Sequence, residues 1–245
     1  MEDFRSRTRL IFGEEGIERL KTAHIAVFGL GGVGGHAAEA LARSGVGALD
    51  LIDCDRVSES NLNRQIIALR STVGRYKTEV FEERIRDINP DCAVRTFPLF
   101  FGPETACTFD FSEYAYVVDA VDTVSAKIEL VLCAQAAGTP IICSMGTGNK
   151  IDPSMLEAAD IYETAVDPLA RVMRTELKKR GVRRLKVIYS KELPIPPKER
   201  LPEDPDGIRK RAVPGSNAFV PAAAGLLLAA EVVKDLTGMK ARTGI

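Results

Sequence analysis

The 245-residue chain has no tryptophan, only two histidines and no CxxC pair. Its five cysteines, Cys54, Cys92, Cys107, Cys133 and Cys143, are odd in number and scattered. That pattern excludes a zinc ribbon and a thioredoxin-type redox motif. His24 and His36 have no carboxylate or cysteine at metal-ligand spacing, and neither is given a role. No serine sits in a nucleophile elbow. An apolar leader is lacking too, because Met1 to Leu10 carries five charges. Reduced thiols in the cytoplasm are therefore expected. The most apolar late stretch, Ala218 to Val233, is interrupted by Pro221 and Glu231. It is too short to cross a bilayer and reads as a buried helix, so no membrane association is expected. Charge of one sign is also missing. The 33 basic and 34 acidic residues leave a net charge of −1, which excludes a uniformly basic nucleic-acid coat and an acidic tail.

What is present is an ordinary globular composition, 45% hydrophobic and 27% charged. The charge is unevenly spread. Between Arg171 and Lys191 nine basic residues face one acid, Glu176, so the rest of the chain is acidic. Apolar periodicity gives a βα alternation. Strands are expected at Ile25–Phe28, Leu49–Ile52, Val94–Phe97, Tyr116–Ala120, Pro140–Ser144 and Leu185–Tyr189. Helices are expected at Gly34–Ser44, Thr78–Ile88, Ala126–Ala137 and from Asp167-Pro168 to Arg180. This order predicts an α/β fold, a Rossmann-like doubly wound and mostly parallel sheet with helices on both faces. No clean linker or repeat divides it, so residues 1–245 are expected to form one domain. Six of the thirteen prolines lie between Leu193 and Pro214, which predicts a long loop over about 191–217.

The strongest local feature is Gly29-Leu-Gly31-Gly32-Val-Gly34-Gly35, directly after a buried strand. Glycines let backbone N–H groups approach phosphate oxygens, and the next helix adds its positive end. Asp53 and Asp55 follow the second strand, where a ribose would lie. So far the pattern fits NAD(P) as well as ATP. Further on come Asn61-Leu-Asn63-Arg64-Gln65, Lys77 and Val118-Asp-Ala-Val-Asp122. Taken singly, Arg64 and Lys77 read as solvated surface charges. In this order they suit attack at an α-phosphate, where negative charge grows in the transition state. Hydride transfer needs no such cations. Asp122, at a strand end, is placed to hold Mg²⁺ through phosphate oxygens.

With these motifs the chain resembles the ubiquitin-activating-enzyme-like (ThiF/MoeB/HesA) superfamily over nearly its whole length, from Arg9-Leu-Ile-Phe-Gly13 to the last helix. The resemblance implies adenylation of a carboxylate by ATP. It also implies roles. Gly29, Gly31, Gly32 and Gly34 would form the phosphate loop, with Asp53 and Asp55 on the ribose side. Asn61, Arg64, Gln65 and Lys77 would bind and polarise the nucleotide, and Asp122 would hold Mg²⁺. Arg9 matches an arginine that reaches into a partner subunit's site, which implies a homodimer. From the sequence alone Arg9 is equally a surface charge.

Three departures narrow the branch. The CxxC pairs of many sulfur-carrier activators are missing. No cysteine lies beyond Cys143, so the second half cannot supply a thioester cysteine. Thirdly, Gly146-Thr-Gly148-Asn-Lys-Ile151-Asp-Pro153, Asp167-Pro-Leu-Ala170 and Val187-Ile-Tyr-Ser190-Lys-Glu192 resemble the tRNA threonylcarbamoyladenosine dehydratase branch, as does Arg64-Gln65-Ile66 with Ala68-Leu69-Arg70. That branch implies tRNA as substrate, ATP and Mg²⁺ as cofactors, and a ring closure that needs no enzyme nucleophile. Cys133 and Cys143 read as small buried hydrophobes. On this reading Lys178, Lys179, Arg180, Arg183, Arg184 and Lys186 are candidates for the tRNA backbone, or else a solvated helix end whose cations suit the dipole. The alternatives are an adenylyltransferase for the C-terminus of a small sulfur-carrier protein, with a sulfur-relay partner, and a non-catalytic nucleotide-binding module.

Overall fold

Strands buried on both faces read as short unbroken apolar runs, and that is how the centre of the sheet is built. The computed structural model describes residues 3–199 and 214–239. Its strands are β1 (His24–Phe28), β2 (Ala48–Ile52), β3 (Ala93–Phe97), β4 (Tyr116–Asp119), β5 (Ile141–Ser144), β6 (Leu156–Asp160) and β7 (Lys186–Ser190). They lie in the order β3-β2-β1-β4-β5-β7-β6. Only β6 runs antiparallel, pairing Leu156 with Ser190 and Asp160 with Lys186.

Helices cover both faces, as expected for a doubly wound sheet. They are α1 (Ser6–Thr22), α2 (Gly34–Arg43), α3 (Lys77–Ile88), α4 (Val124–Ala137), α5 (Pro168–Lys179) and α6 (Val220–Thr237). One core joins α2, α3 and α6 to the sheet through Leu41, Phe81, Leu228 and Val232. On the other face, Ile128 and Val131 of α4 meet Met173 and Leu177 of α5. A third cluster packs Phe28 against Phe101, Phe109 and Phe111. The helix ends follow local chemistry. Asp167 caps α5 by accepting from Ala170 N, Pro168 starts the helix, and Gly181 follows it.

Two elements have no counterpart in the sequence reading. α1 contains Gly13 at φ +71°, which kinks it and resets its periodicity. β6, Leu-Glu-Ala-Ala-Asp, sits at the sheet edge and carries no apolar run. The expected loop over 191–217 has neither helix nor strand at residues 191–199 and 214–217, while residues 200–213 lie outside the described residues. Its first part is tied down. Lys191 N bonds Met155 O, Ile195 N bonds Asn149 O, and the Glu192 carboxylate accepts from Ile151 N and Asp152 N.

His24, given no role from sequence spacing, does have a carboxylate neighbour. Its Nε2 lies 2.9 Å from Asp50 Oδ1. Asp50 is fully buried on β2 and also accepts from Arg95 Nε at 2.7 Å and Tyr114 Oη at 2.8 Å. Burial works to raise its carboxyl, but the bonds from His24, Arg95 and Tyr114 outweigh it and hold the group below the usual carboxylate range. A lowered folded-state value means stabilisation that is present above the unfolded value and lost as pH falls through the folded one. Asp50→Asn is therefore expected to cost about 2–3 kcal/mol at neutral pH. The gap between wild-type and variant urea midpoints should close as pH falls below about 4. A gap independent of pH would show that charge is not the cause.

Candidate active site

In an open α/β sheet the ligand crevice lies at the carboxyl ends of the strands, where strand order reverses. Here that point is between β1 and β4. Gly29 leaves β1 at φ +85°, and a Cβ there would stand 2.7 Å from the Ala120 carbonyl oxygen at the end of β4. A Cβ on Gly34 would stand 1.8 Å from the Gly29 carbonyl oxygen. The turn therefore closes tightly only with glycine at both positions, and it delivers the chain straight into the first turn of α2.

The other strand ends bring side chains to this loop. Asp53, after β2, accepts from Leu30 N at 2.7 Å, fixing the loop to the second strand. Lys77, the first residue of α3, is only 4% exposed. Its Nζ lies 2.7 Å from Asp55 and 3.4 Å from Asp53. A bond from Lys77 N to Asp55 O and an isolated bridge between Arg56 and Tyr76 draw that helix start back to β2. Asn61 is buried in a 3₁₀ turn and accepts from Ser58 N through its side chain. Its carbonyl holds Arg64 N and Gln65 N, which turns both side chains toward the glycines. The Arg64 Cγ lies 3.3 Å from where a Gly32 Cβ would be, and Gln65 Nε2 lies 3.9 Å from that of Gly31. Among the described residues the Arg64 guanidinium donates only to neutral oxygens, Ser60 O and Asn63 Oδ1, so none of them compensates its charge. Gln65 Oε1 is buried without a hydrogen-bond partner among the described residues.

At the end of β4 a fully buried ion pair sets the backbone. Lys127 Nζ, on α4, lies 3.0 Å from Asp119 and 2.9 Å from Val121 O. It holds the loop that carries Asp122, which is exposed and makes no ion pair among the described residues. A second buried pair lies at the end of β5. Lys150 Nζ is 2.6 Å from Asp167, and it also donates to Gly146 O. Asp167 accepts from Gly146 N as well. This pair fastens the turn at residues 146–149 to the start of α5. Sequence reasoning gave neither lysine a role. The only available signal was an acid eight or seventeen residues away, and nothing local marks such a lysine as buried.

The sequence-predicted residues thus divide. Gly29, Gly31, Gly32, Gly34, Asp53, Asp55, Asn61, Arg64, Gln65 and Lys77 surround one loop, with Asp122 on the adjoining strand end. Arg9 is elsewhere. Its helix is anchored at the opposite, amino ends of the strands, where the Arg5 side chain packs on Gly45 and bonds Asp91, and Gly16 packs on Thr237 at the end of α6. Arg9 itself pairs with Asp3 and Glu14. The basic run is split by α5. Lys178, Lys179, Arg180, Arg183 and Arg184 are exposed at the end of α5 and before β7, away from the crevice. Lys179 and Arg180 both pair with Glu176, and Lys186 turns to Asp235 and Glu231 of α6.

Three of the cysteines are poorly suited to a nucleophilic role. Burial pushes the Cys133 thiol up to about 11, with Glu129 adding to it, and pushes fully buried Cys143 well above its ordinary value. Cys54, next to the site, is also raised, by burial and by Asp55 and Asp53. A thiolate is the reactive form, so all three are disfavoured as nucleophiles.

A Rossmann-type glycine loop ringed by an arginine, a lysine and carboxylates defines a nucleotide-dependent enzyme of the adenylating kind. Residues 5–244 match the ThiF family, and the chain belongs to that family. It is 46% identical over 237 residues to the tRNA threonylcarbamoyladenosine dehydratase of Bacillus subtilis (strain 168), covering 94% of this chain and 93% of that one. Two crystal structures of the Escherichia coli tRNA N6-threonylcarbamoyladenosine dehydratase, one with AMP and one with ATP, superpose with TM-scores of 0.85 and 0.84. Both are 35% identical and cover 95% of this chain and 93% of theirs. No helix among the described residues is long and apolar enough to cross a membrane.

Proposed function

We propose that the protein is an ATP-dependent tRNA threonylcarbamoyladenosine dehydratase. The observation that carries this reading is the convergence of Arg64 and Lys77 on the glycine loop, with Asp122 beside it, in a chain that aligns with nearly all of a relative bearing that name. The reaction balances in two steps. A threonyl carboxylate oxygen attacks the α-phosphorus of ATP, and the bond to pyrophosphate breaks. A nucleophilic atom of the neighbouring carbamoyl group then attacks the acyl carbon. AMP leaves with the former carboxylate oxygen and the attacking atom gives up its proton to solvent, so relative to the carboxylic acid the nucleoside loses one water. Proximity within the substrate drives the closure, which agrees with the raised thiols.

The chain's own residues bind and polarise. Backbone N–H groups of the glycine loop and the start of α2 face the phosphates. Arg64 brings an unneutralised guanidinium to the α-phosphate, where charge develops. Lys77 offsets Asp53 and Asp55, which would otherwise repel the nucleotide. Gln65 offers its unpartnered oxygen to a ribose or adenine donor. Asp53, Asp55 and Asp119 are each bonded to a lysine, whereas Asp122 is exposed and has no cation partner among the described residues. A carboxylate of that kind fits a hard divalent cation that keeps several waters. Mg²⁺ held there would neutralise phosphate charge. Arg9 lies on a helix anchored at the amino ends of the strands, away from its own glycine loop, which suits a reach into the site of a second copy, with a homodimer as the working unit. Leu10 and Ile11 beside it are 87% and 65% exposed, which suits a surface covered by that copy. Five free cysteines suit the cytoplasm.

The test is incubation with ATP, Mg²⁺ and threonylcarbamoyl-modified tRNA, followed by nucleoside mass measurement. Loss of one water, with one AMP formed per conversion, is expected. Unchanged nucleoside together with pyrophosphate exchange dependent on a carrier protein's C-terminus would replace this reading with carrier adenylation.

A further inference from the structure

Helix α5 separates the basic run into two groups at opposite ends of the parallel strands. Twelve residues at 1.5 Å each set its ends about 18 Å apart. The helix begins beside β5, where its cap Asp167 bonds Gly146, and ends beside the start of β7. Arg171, in the first turn, therefore lies toward the carboxyl ends of the strands, where the nucleotide crevice opens, Arg174 lies one turn further down the helix on Thr164, and Lys178 to Arg184 lie at the opposite end.

At the start of α5 an open depression of about 560 Å³ is lined by Val166, Asp167, Pro168, Arg171, Val172 and Arg174. Its volume suits a nucleotide-sized ligand. We propose that it is a subsite for the tRNA backbone next to the modified adenosine, with a phosphate on the two arginines and a base face on the valines. The inference rests on the tRNA reading above.

Four observations support it. Arg171 is exposed and its guanidinium makes no hydrogen bond or ion pair among the described residues. Arg174 is held by Thr164 through its carbonyl and hydroxyl oxygens, both neutral, so the head is fixed and its charge is not paired among the described residues. The one acid in the lining, Asp167, is buried, paired with Lys150 and bonded to Ala170 N, which leaves the cavity positive. Val166 and Val172 are 45% and 40% exposed, and Val166 is held at φ +51°, a conformation rare for a β-branched residue. Strained backbone of this kind concentrates at functional sites. Guanidinium forks match phosphate geometry, and apolar side chains accept the flat face of a base. Phosphate contacts position the nucleic acid without reading its sequence.

The experiment measures binding of threonylcarbamoyl-modified tRNA to the full chain across a salt series. Arg171→Ala is the decisive variant, since its head group holds nothing else in place. It should weaken binding roughly fivefold to tenfold and lower the slope of log K against log salt by about one. Adding Arg174→Ala should lower the slope by about two, and Arg171→Lys should restore the single loss of charge. ATP affinity should stay unchanged throughout, as should tRNA binding by the Lys178→Ala, Arg183→Ala, Arg184→Ala triple variant. Wild-type slope and affinity in Arg171→Ala overturn the inference, and so does a loss confined to the triple variant. If the wild type neither binds nor dehydrates this tRNA, the functional reading fails and the inference with it. Wild-type turnover with insensitive arginine variants removes the inference alone.

Discussion

Lys77→Met is expected to lower kcat/KM for ATP-dependent turnover by roughly 10²–10³-fold, the loss typical when one preorganised charge stabiliser is removed. Lys77 is nearly inaccessible and lies between two carboxylates, 2.7 Å from Asp55 and 3.4 Å from Asp53. Without it, two negative charges stand where the triphosphate must bind, and Asp53 loses its cation while still holding Leu30 N. Both nucleotide affinity and the chemical step should fall. Lys77→Arg is not expected to restore activity, because a planar fork does not fit a compact buried ammonium site. AMP formation, ATP binding and a thermal melt measured together check this. A folded variant within threefold of wild type would remove Lys77 from the reaction.

The position of that lysine illustrates what a sequence displays and what it hides. The glycine loop was legible because its meaning is local: a buried strand, a tight turn and a helix start follow one another without interruption. Asp53 and Asp55 were legible because a strand end is marked by the same apolar run. Arg64 and Lys77 became informative only by their order after these motifs. What did not show was pairing across the fold. Nothing near Lys127 or Lys150 indicates that each is buried against an acid, and His24 meets Asp50 only because β1 and β2 are neighbours. The basic run shows the reverse effect. Residues contiguous in sequence are carried to opposite ends of the strands by one helix, so a single charge segment becomes two surfaces with different neighbours. β6 was invisible because an edge strand needs no apolar run, and α1 because its kink breaks the period.

Asp122→Asn is expected to lower turnover by roughly 10²-fold or more and to raise the Mg²⁺ concentration needed for half-maximal activity. The argument turns on what the other acids are doing. Asp119 is fixed by Lys127, and Asp53 and Asp55 by Lys77, so none of these is free to meet a divalent ion without losing a partner. Asp122 is displayed by the backbone that the Lys127 ammonium fastens at Val121 O, on the strand next to the glycine loop. Asparagine keeps the shape and the bond from Thr123 but removes the charge. Folding should be unaffected, since the side chain is exposed. Two measurements separate the possibilities. A Mg²⁺ titration of AMP formation should shift in Asp122→Asn but not in Asp55→Asn, whose carboxylate serves Lys77. An unshifted titration with lowered turnover would assign Asp122 to the acceptor and leave the metal to phosphate oxygens alone.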